Sequence, residues 1–242
     1  MPPTSQADAL SRPLFAFPSS EHLHRQTDGF IRRMATDQAR PEPDTLEGIM
    51  ETFIDESLGV FFLAPAKLVG LGPNMQRVIR VSADTIGKAG AMVTRRASRK
   101  LDLPQHRDTA AYMDEIRIMV PDSDGNEIWY VAFPIEESLA QQLVRSRELA
   151  ENGDQQQAVT VLADALHALT DVALHWYFER PIALLRFGPV MSKMAAVALT
   201  TSRKATHSVI RKVFADMDPK QVLTSTQYMS SMVLRPGMAP GR

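Results

Sequence analysis

From residue 44 the chain runs on a helical period. Leu46, Ile49, Met50, Phe53, Ser57 and Val60 recur three and four apart, and Glu47, Glu51 and Asp55 take the opposite face. This spacing predicts an amphipathic helix. Asp44-Thr-Leu-Glu47 reads as a capping box at its start. From Leu58 the polar face is lost, and Val60-Phe61-Phe62-Leu63 is apolar all round. A helix without a polar face must be covered on every side. Pro65 then removes a backbone donor and is expected to kink or break the element. Gly70-Leu-Gly72-Pro73 is expected to stop it. A second helix is predicted over 74–101, with Met75, Val78, Ile79, Ile86, Ala89 and Val93 on one stripe. It ends in Arg95, Arg96, Arg99 and Lys100, cations that suit a helix C-terminus.

The pattern returns 116 residues later without a gap. Phe62, Pro65, Leu68, Gly72, Pro73 and Met75 meet Phe178, Pro181, Leu184, Gly188, Pro189 and Met191. Positions 46–95 and 162–211 share 15 identities in 50, where unrelated segments of ordinary composition share about three. A duplicated unit is therefore expected, each copy an acidic helix, an apolar Pro-broken elbow and a basic helix. Residues 44–58 carry five acids and no Lys or Arg, and residues 74–101 seven Lys or Arg against Asp84 alone.

The flanking segments read less clearly. Residues 1–43 hold 6 of the 16 prolines and are expected to be a mostly disordered arm. One apolar island, Pro13–Pro18, suggests a strand-like arm on the core. Residues 103–134 are read as a linker, at 105–111, and a β-hairpin. In the hairpin, runs 115–120 and 128–133 flank Asp124-Gly125. A short helix is expected over 135–153, stopped by Asn152-Gly153, then the second repeat over 154–218 and a flexible tail over 219–242. The fold class is thus mainly α: internally duplicated Pro-broken helical hairpins, a helical bundle, with one small antiparallel β-hairpin.

Composition excludes more than it assigns. Net charge is −1, with 44% hydrophobic and 23% charged residues, so no global field points to nucleic acid. Without cysteine, disulfide and thiolate chemistry are excluded. The start Met1-Pro-Pro-Thr-Ser does not read as a secretory signal, and no apolar run of the roughly 18–20 residues that span a bilayer is seen. A cytoplasmic protein is expected.

Candidate chemistry is sparse. Asp164, His167, Asp171 and His175 share one helical stripe, and Asp-x-x-His spacing occurs in carboxylate–histidine metal sites of bundles. The stripe lies opposite Leu162, Leu166, Leu169, Ala173 and Trp176, where a solvated face belongs, so no metal is expected. Thr85-x-x-Lys88 and Thr201-x-x-Lys204 recur as pairs and are read as helix-surface residues. The basic helices carry few aromatic residues for base stacking, which argues against nucleic acid.

An apolar elbow followed by a cationic helix fits an anionic membrane surface, with Arg95, Arg96, Arg99, Lys100, Arg211 and Lys212 as candidate contacts. Burial of the elbows at the centre of a bundle is the favoured reading, with any membrane contact secondary. The sequence favours a non-enzymatic interaction or scaffold protein, with a protein partner or second copy and peripheral membrane association. Its alternative is an enzyme or carrier holding an apolar ligand in a pocket between the elbows. That pocket would be walled by Phe61, Phe62, Pro65, Trp176, Tyr177, Phe178 and Pro181. No cofactor is expected, and no residue is assigned a catalytic role.

Overall fold

The computed structural model describes residues 12–122, 124–215 and 217–235. The chain is mainly α with a small four-stranded antiparallel sheet. In order, its first half is β1 (Leu14–Pro18), α1 (Glu21–Met34), α2 (Pro43–Leu58), a π turn (Gly59–Leu63), α3 (Ala64–Leu68), α4 (Pro73–Ser98), α5 (Leu103–Glu115) and β2 (Arg117–Pro121). Its second half is β3 (Glu127–Pro134), α6 (Glu137–Glu151), α7 (Gln155–Leu174), a π turn (His175–Glu179), α8 (Arg180–Leu184), α9 (Pro189–Phe214), α10 (Pro219–Ser231) and β4 (Val233–Leu234).

The 116-residue spacing holds for the elements themselves. Both π turns, α3/α8, α4/α9 and α5/α10 have bounds that coincide at that offset. The sheet order β2-β3-β1-β4 places counterpart strands symmetrically. β1 and β3 pair antiparallel about Ala16 opposite Ala132, themselves counterparts, with Phe15 opposite Phe133. Leu14 opposite Leu234 repeats as Tyr130 opposite Ile118. The two halves thus share a central two-stranded ribbon and each adds one edge strand.

Several sequence expectations need correction. Residues 1–11 lie outside the described residues, but 14–34 are ordered. β1 is buried in the sheet, and α1 buries Leu23, Thr27, Phe30 and Met34, a stripe at helical spacing between charged positions. The linker at 105–111 is inside α5, where Asp102 and Gln105 form a capping box and Pro104 sits in the first turn. The tail from 219 begins as α10 with the matching box Asp218–Gln221. Residues 236–242 are outside the described range. Conversely, the expected box at Asp44–Glu47 is not formed: α2 starts at Pro43 without a side-chain cap.

The elbows do not break. Helix α2 runs through its π turn into α3, and α7 into α8. The Ala64 N–H reaches back five residues to the Gly59 carbonyl, and the Arg180 N–H to that of His175. The next such bond would come from Pro65 or Pro181, which have no N–H. The carbonyls left over belong to Val60 and Trp176. A tyrosine hydroxyl from the other half donates to each: Tyr228 on α10 to Val60 at 2.9 Å, and Tyr112 on α5 to Trp176. Because the helix continues, Gln155–Leu184 forms one 30-residue run, by length and composition enough to cross a membrane. Its Leu162, Ala165 and Leu169 are nevertheless packed in the core beneath Phe15 and Phe133.

The aromatic centre lies where the elbows meet the sheet. Phe61 stacks on Phe15 and meets Phe17 edge-on at 5.5 Å, and Tyr177 meets Phe133 edge-on at 5.3 Å. Helices α4 and α9 lie antiparallel on the far side. Ile79, near the start of α4, packs with Val209 and Val213, and Val93 and Ala97 pack with Met191 and Ala195. After each elbow the chain turns through a left-handed residue: Gly70 (φ 68°) in the first half, but Arg186 (φ 48°) in the second.

Two stability outcomes follow. Tyr228→Phe removes the donor to the half-buried Val60 carbonyl and should cost about 1 kcal/mol in urea unfolding. Tyr112→Phe should cost a similar amount. Arg186→Gly relieves the left-handed penalty and should stabilise by about 1 kcal/mol.

Candidate functional site

Two cavities, of about 160 and 200 Å³, flank the aromatic centre. The first is walled by α1, α2, α4 and α5 of the first half and closed by the second elbow through Tyr177, Phe178, Pro181 and Ile182. The second is walled chiefly by α7, α9 and α10 and closed by the first elbow through Phe61, Phe62, Pro65 and Ala66. Eighteen lining positions of the first have their counterpart, 116 residues away, in the second, among them Phe53/Leu169, Val93/Val209 and Met113/Met229. Each half therefore builds most of a cavity and borrows the other half's elbow as its lid.

This differs from the single pocket between elbows that the sequence suggested. Six of the seven expected residues line a cavity, but Phe61, Phe62 and Pro65 serve the second, and Phe178 and Pro181 the first; Tyr177 borders both. Trp176 lines neither. It lies under the Arg180 guanidinium at 4.0 Å, which also pairs with Glu115 at 2.9 Å.

The walls are apolar with a few buried polar atoms that have no partner among the described residues: the Tyr177 hydroxyl, and in the second cavity Ser57 Oγ and Ser202 Oγ. Burial raises the Tyr177 phenol well above its ordinary pKa, so it stays a neutral donor. The first cavity has a different polar rim. Arg117 donates to Asp28 and Asp114, both at 3.1 Å, and lies 4.9 Å over the Trp129 ring. His24 stacks on that ring at 4.4 Å. Arg117 Nη1 and His24 Nδ1 are buried and unpartnered. No sequence pattern marked Ser202, Arg117 or Trp129, because the walls come from elements distant in the chain.

The Asp164, His167, Asp171 and His175 stripe is divided among other partners. Asp171 accepts from Arg203 at 2.8 Å, His175 pairs with Glu179, and His167 packs edge-on against His207. Asp164, Asp171 and His175 are exposed, and only His167 is partly covered, against His207 of α9. No group of three His, Asp or Glu among the described residues is placed to hold a metal ion.

The expected anionic-surface residues divide as well. Arg95 pairs with Glu47 and Glu51, and Arg99 approaches Glu47 at 3.8 Å. Arg96 contacts the Met194 sulfur at 3.2 Å. Lys100, Arg211 and Lys212 are exposed.

Comparison of the chain with protein-family models, curated proteins and solved structures finds no match. Its function has to be argued from the geometry above.

His24 and His167 have lowered pKa values, chiefly through desolvation, with Arg117 and His207 respectively adding repulsion. The unfolded chain then binds protons that the folded one resists. Stability should be full above the ordinary histidine pKa of about 6.5 and fall as pH drops below it. Denaturation measured from pH 7.5 to 5 should show this loss, and His24→Asn with His167→Asn should flatten it.

Proposed function

We propose that this protein is a non-enzymatic carrier or sensor of small apolar ligands, built by duplication of a unit of about 116 residues. The observation that carries the reading is the pair of counterpart apolar cavities, with buried unpartnered hydroxyls in the wall of the second. Burying a hydroxyl without a partner costs about 1–3 kcal/mol, so three of them in one apolar wall call for a partner. Apolar cavities of about 150 Å³ stay dry and take up benzene-sized molecules. A ligand with a compact hydrocarbon body and one hydrogen-bonding group satisfies both the volume and the hydroxyls.

The duplication is supported by the common offset of elements, of elbow prolines and of the two tyrosine contacts. The carrier reading moves ahead of the scaffold reading favoured from sequence because the elbow rings Phe61 and Tyr177 pack inward on the sheet. Among the described residues no hydroxyl lining either cavity is hydrogen-bonded to a histidine or a carboxylate, so chemistry is not proposed.

The test uses the Ser202 position, where the first half has Ile86. Ser202→Ile fills part of the second cavity and removes an unpartnered hydroxyl. It should raise stability by about 1 kcal/mol and abolish binding there. Calorimetry with n-hexanol, phenol and n-hexane should show saturable binding to the native chain. Tyr177→Phe should weaken the two alcohols and leave hexane unchanged. Absence of saturable binding by the native chain, or equal binding by Ser202→Ile, would overturn the reading.

A further inference from the structure

The cavities account for the inner faces of the elbows but not for the outer ones. Of the eight exposed large hydrophobic residues among those described, seven lie on the stretches 63–92 and 184–197, the outer sides of the elbows and of α4 and α9. Val81 and its counterpart Val197 are each 57% exposed, as is Leu68; Leu184 and Val190 are also exposed. The same two helices carry ten Lys or Arg against one acid, Asp84.

The arrangement is not random along the helices. On α4 the side toward α2 is marked by Gly87 and Gly90, where an added Cβ would meet Leu58 and Ile54 at 3.1 and 3.0 Å. The side toward α9 carries Val93 and Ala97. The remaining arc presents Arg77, Val81, Lys88 and Arg95, at i, i+4, i+11 and i+18, with the exposed Asp84 among them and Arg95 reaching across to Glu47 and Glu51 of α2. Helix α9 presents Lys193, Val197, Lys204 and Arg211 at the counterpart positions. Core positions repeat because packing demands it. Exposed positions have no such demand, yet here a cation, a valine and two further cations recur. Arg77, Lys88, Lys193 and Lys204 form no ion pair among the described residues.

We infer that the outer face of α4 and α9, with the adjoining elbow ends, docks on an anionic lipid surface. Cations alone suit any polyanion, but exposed valine and leucine side chains set among them gain only where hydrocarbon is within reach. That favours a bilayer over nucleic acid. Arg186 belongs to this face: it is exposed beside Leu184 and held in a left-handed conformation that costs energy. The docking stands on these observations. Only the further step, that the bilayer supplies the ligand past elbows bearing both Leu63 outside and Phe62 inside, rests on the carrier reading.

The experiment is co-sedimentation of the full chain, without added ligand, on vesicles of phosphatidylcholine alone or mixed with phosphatidylglycerol. Ligand titration without vesicles tests the cavities separately, so the two can fail independently. Binding is expected on the anionic vesicles, and it should weaken as salt shortens the Debye length from about 10 Å at 0.1 M to about 3 Å at 1 M. Replacing Arg77, Lys88, Lys193 and Lys204 by Ala together should weaken it roughly a hundredfold or more. Val81→Ser with Val197→Ser should weaken it without changing the melting temperature. Arg186→Gly should lower vesicle affinity about fivefold while making the chain more stable, a pairing that a purely structural arginine would not give. Arg25→Ala and Arg147→Ala, on α1 and α6, should leave binding unchanged. No sedimentation with anionic vesicles, or undiminished binding by the four-cation variant, would overturn the inference. So would a preference for duplex DNA that ignores the two valines.

Discussion

Pro65 and Pro181 lack the N–H groups that a π turn would direct at the carbonyls of Val60 and Trp176. Those carbonyls lie on half-buried turns between the sheet and the helices, where an oxygen left without a donor is costly. The tyrosine hydroxyls that satisfy them come from the opposite half in both cases. A local covalent defect is thereby converted into a reciprocal tie: α10 holds the first elbow, α5 the second. A half folded alone would keep its proline and lose its donor. The same exchange shapes the cavities, since an elbow fixed by the other half also closes the other half's cavity.

The π turns have a second consequence. Each adds one residue to a turn without ending the helix, so side chains after the turn are rotated relative to those before it. Phe61 and Tyr177 face the sheet, while Phe62 and Phe178 face a cavity. An unbroken α-helix would bury one apolar stripe. The widened turn half-buries two directions at once and leaves Leu63 exposed.

Much of this was legible in the residues, and the parts that were not have identifiable causes. The elbows, the basic helices and the hairpin follow from period, proline and Asp-Gly signals that act locally. Pro104 and Pro219 open helices at their first turn, yet the segments around them read as linker and tail. The offset also reaches further than 46–95: Phe17/Phe133, Pro18/Pro134, Glu21/Glu137 and Tyr112/Tyr228 are identities at the same spacing. They are scattered among unlike neighbours, and only the symmetric strand register and the paired tyrosine contacts give them weight. The elbow residues at the cavities were legible, but not that there are two cavities nor what forms their other walls, because a void is a property of how distant elements fail to fill space.

Where two halves share a frame, their differences are more informative than their likenesses. Shared positions such as Leu46/Leu162 or Val93/Val209 are explained by packing. The second half departs from the first at Tyr177 for Phe61, Ser202 for Ile86 and Arg186 for Gly70. In each case the first half has the residue that physical chemistry prefers: an apolar ring, an apolar side chain, a glycine at positive φ. The second half has a buried hydroxyl without a partner, another, and a strained arginine. None of the three improves the fold. Retaining all of them in one half is an expense that stability does not explain, and under the reading proposed here the halves have divided the work. The first is closer to scaffold. The second carries two of the three buried hydroxyls proposed to meet a ligand, Ser57 of the first half being the third, and one more cation for the surface.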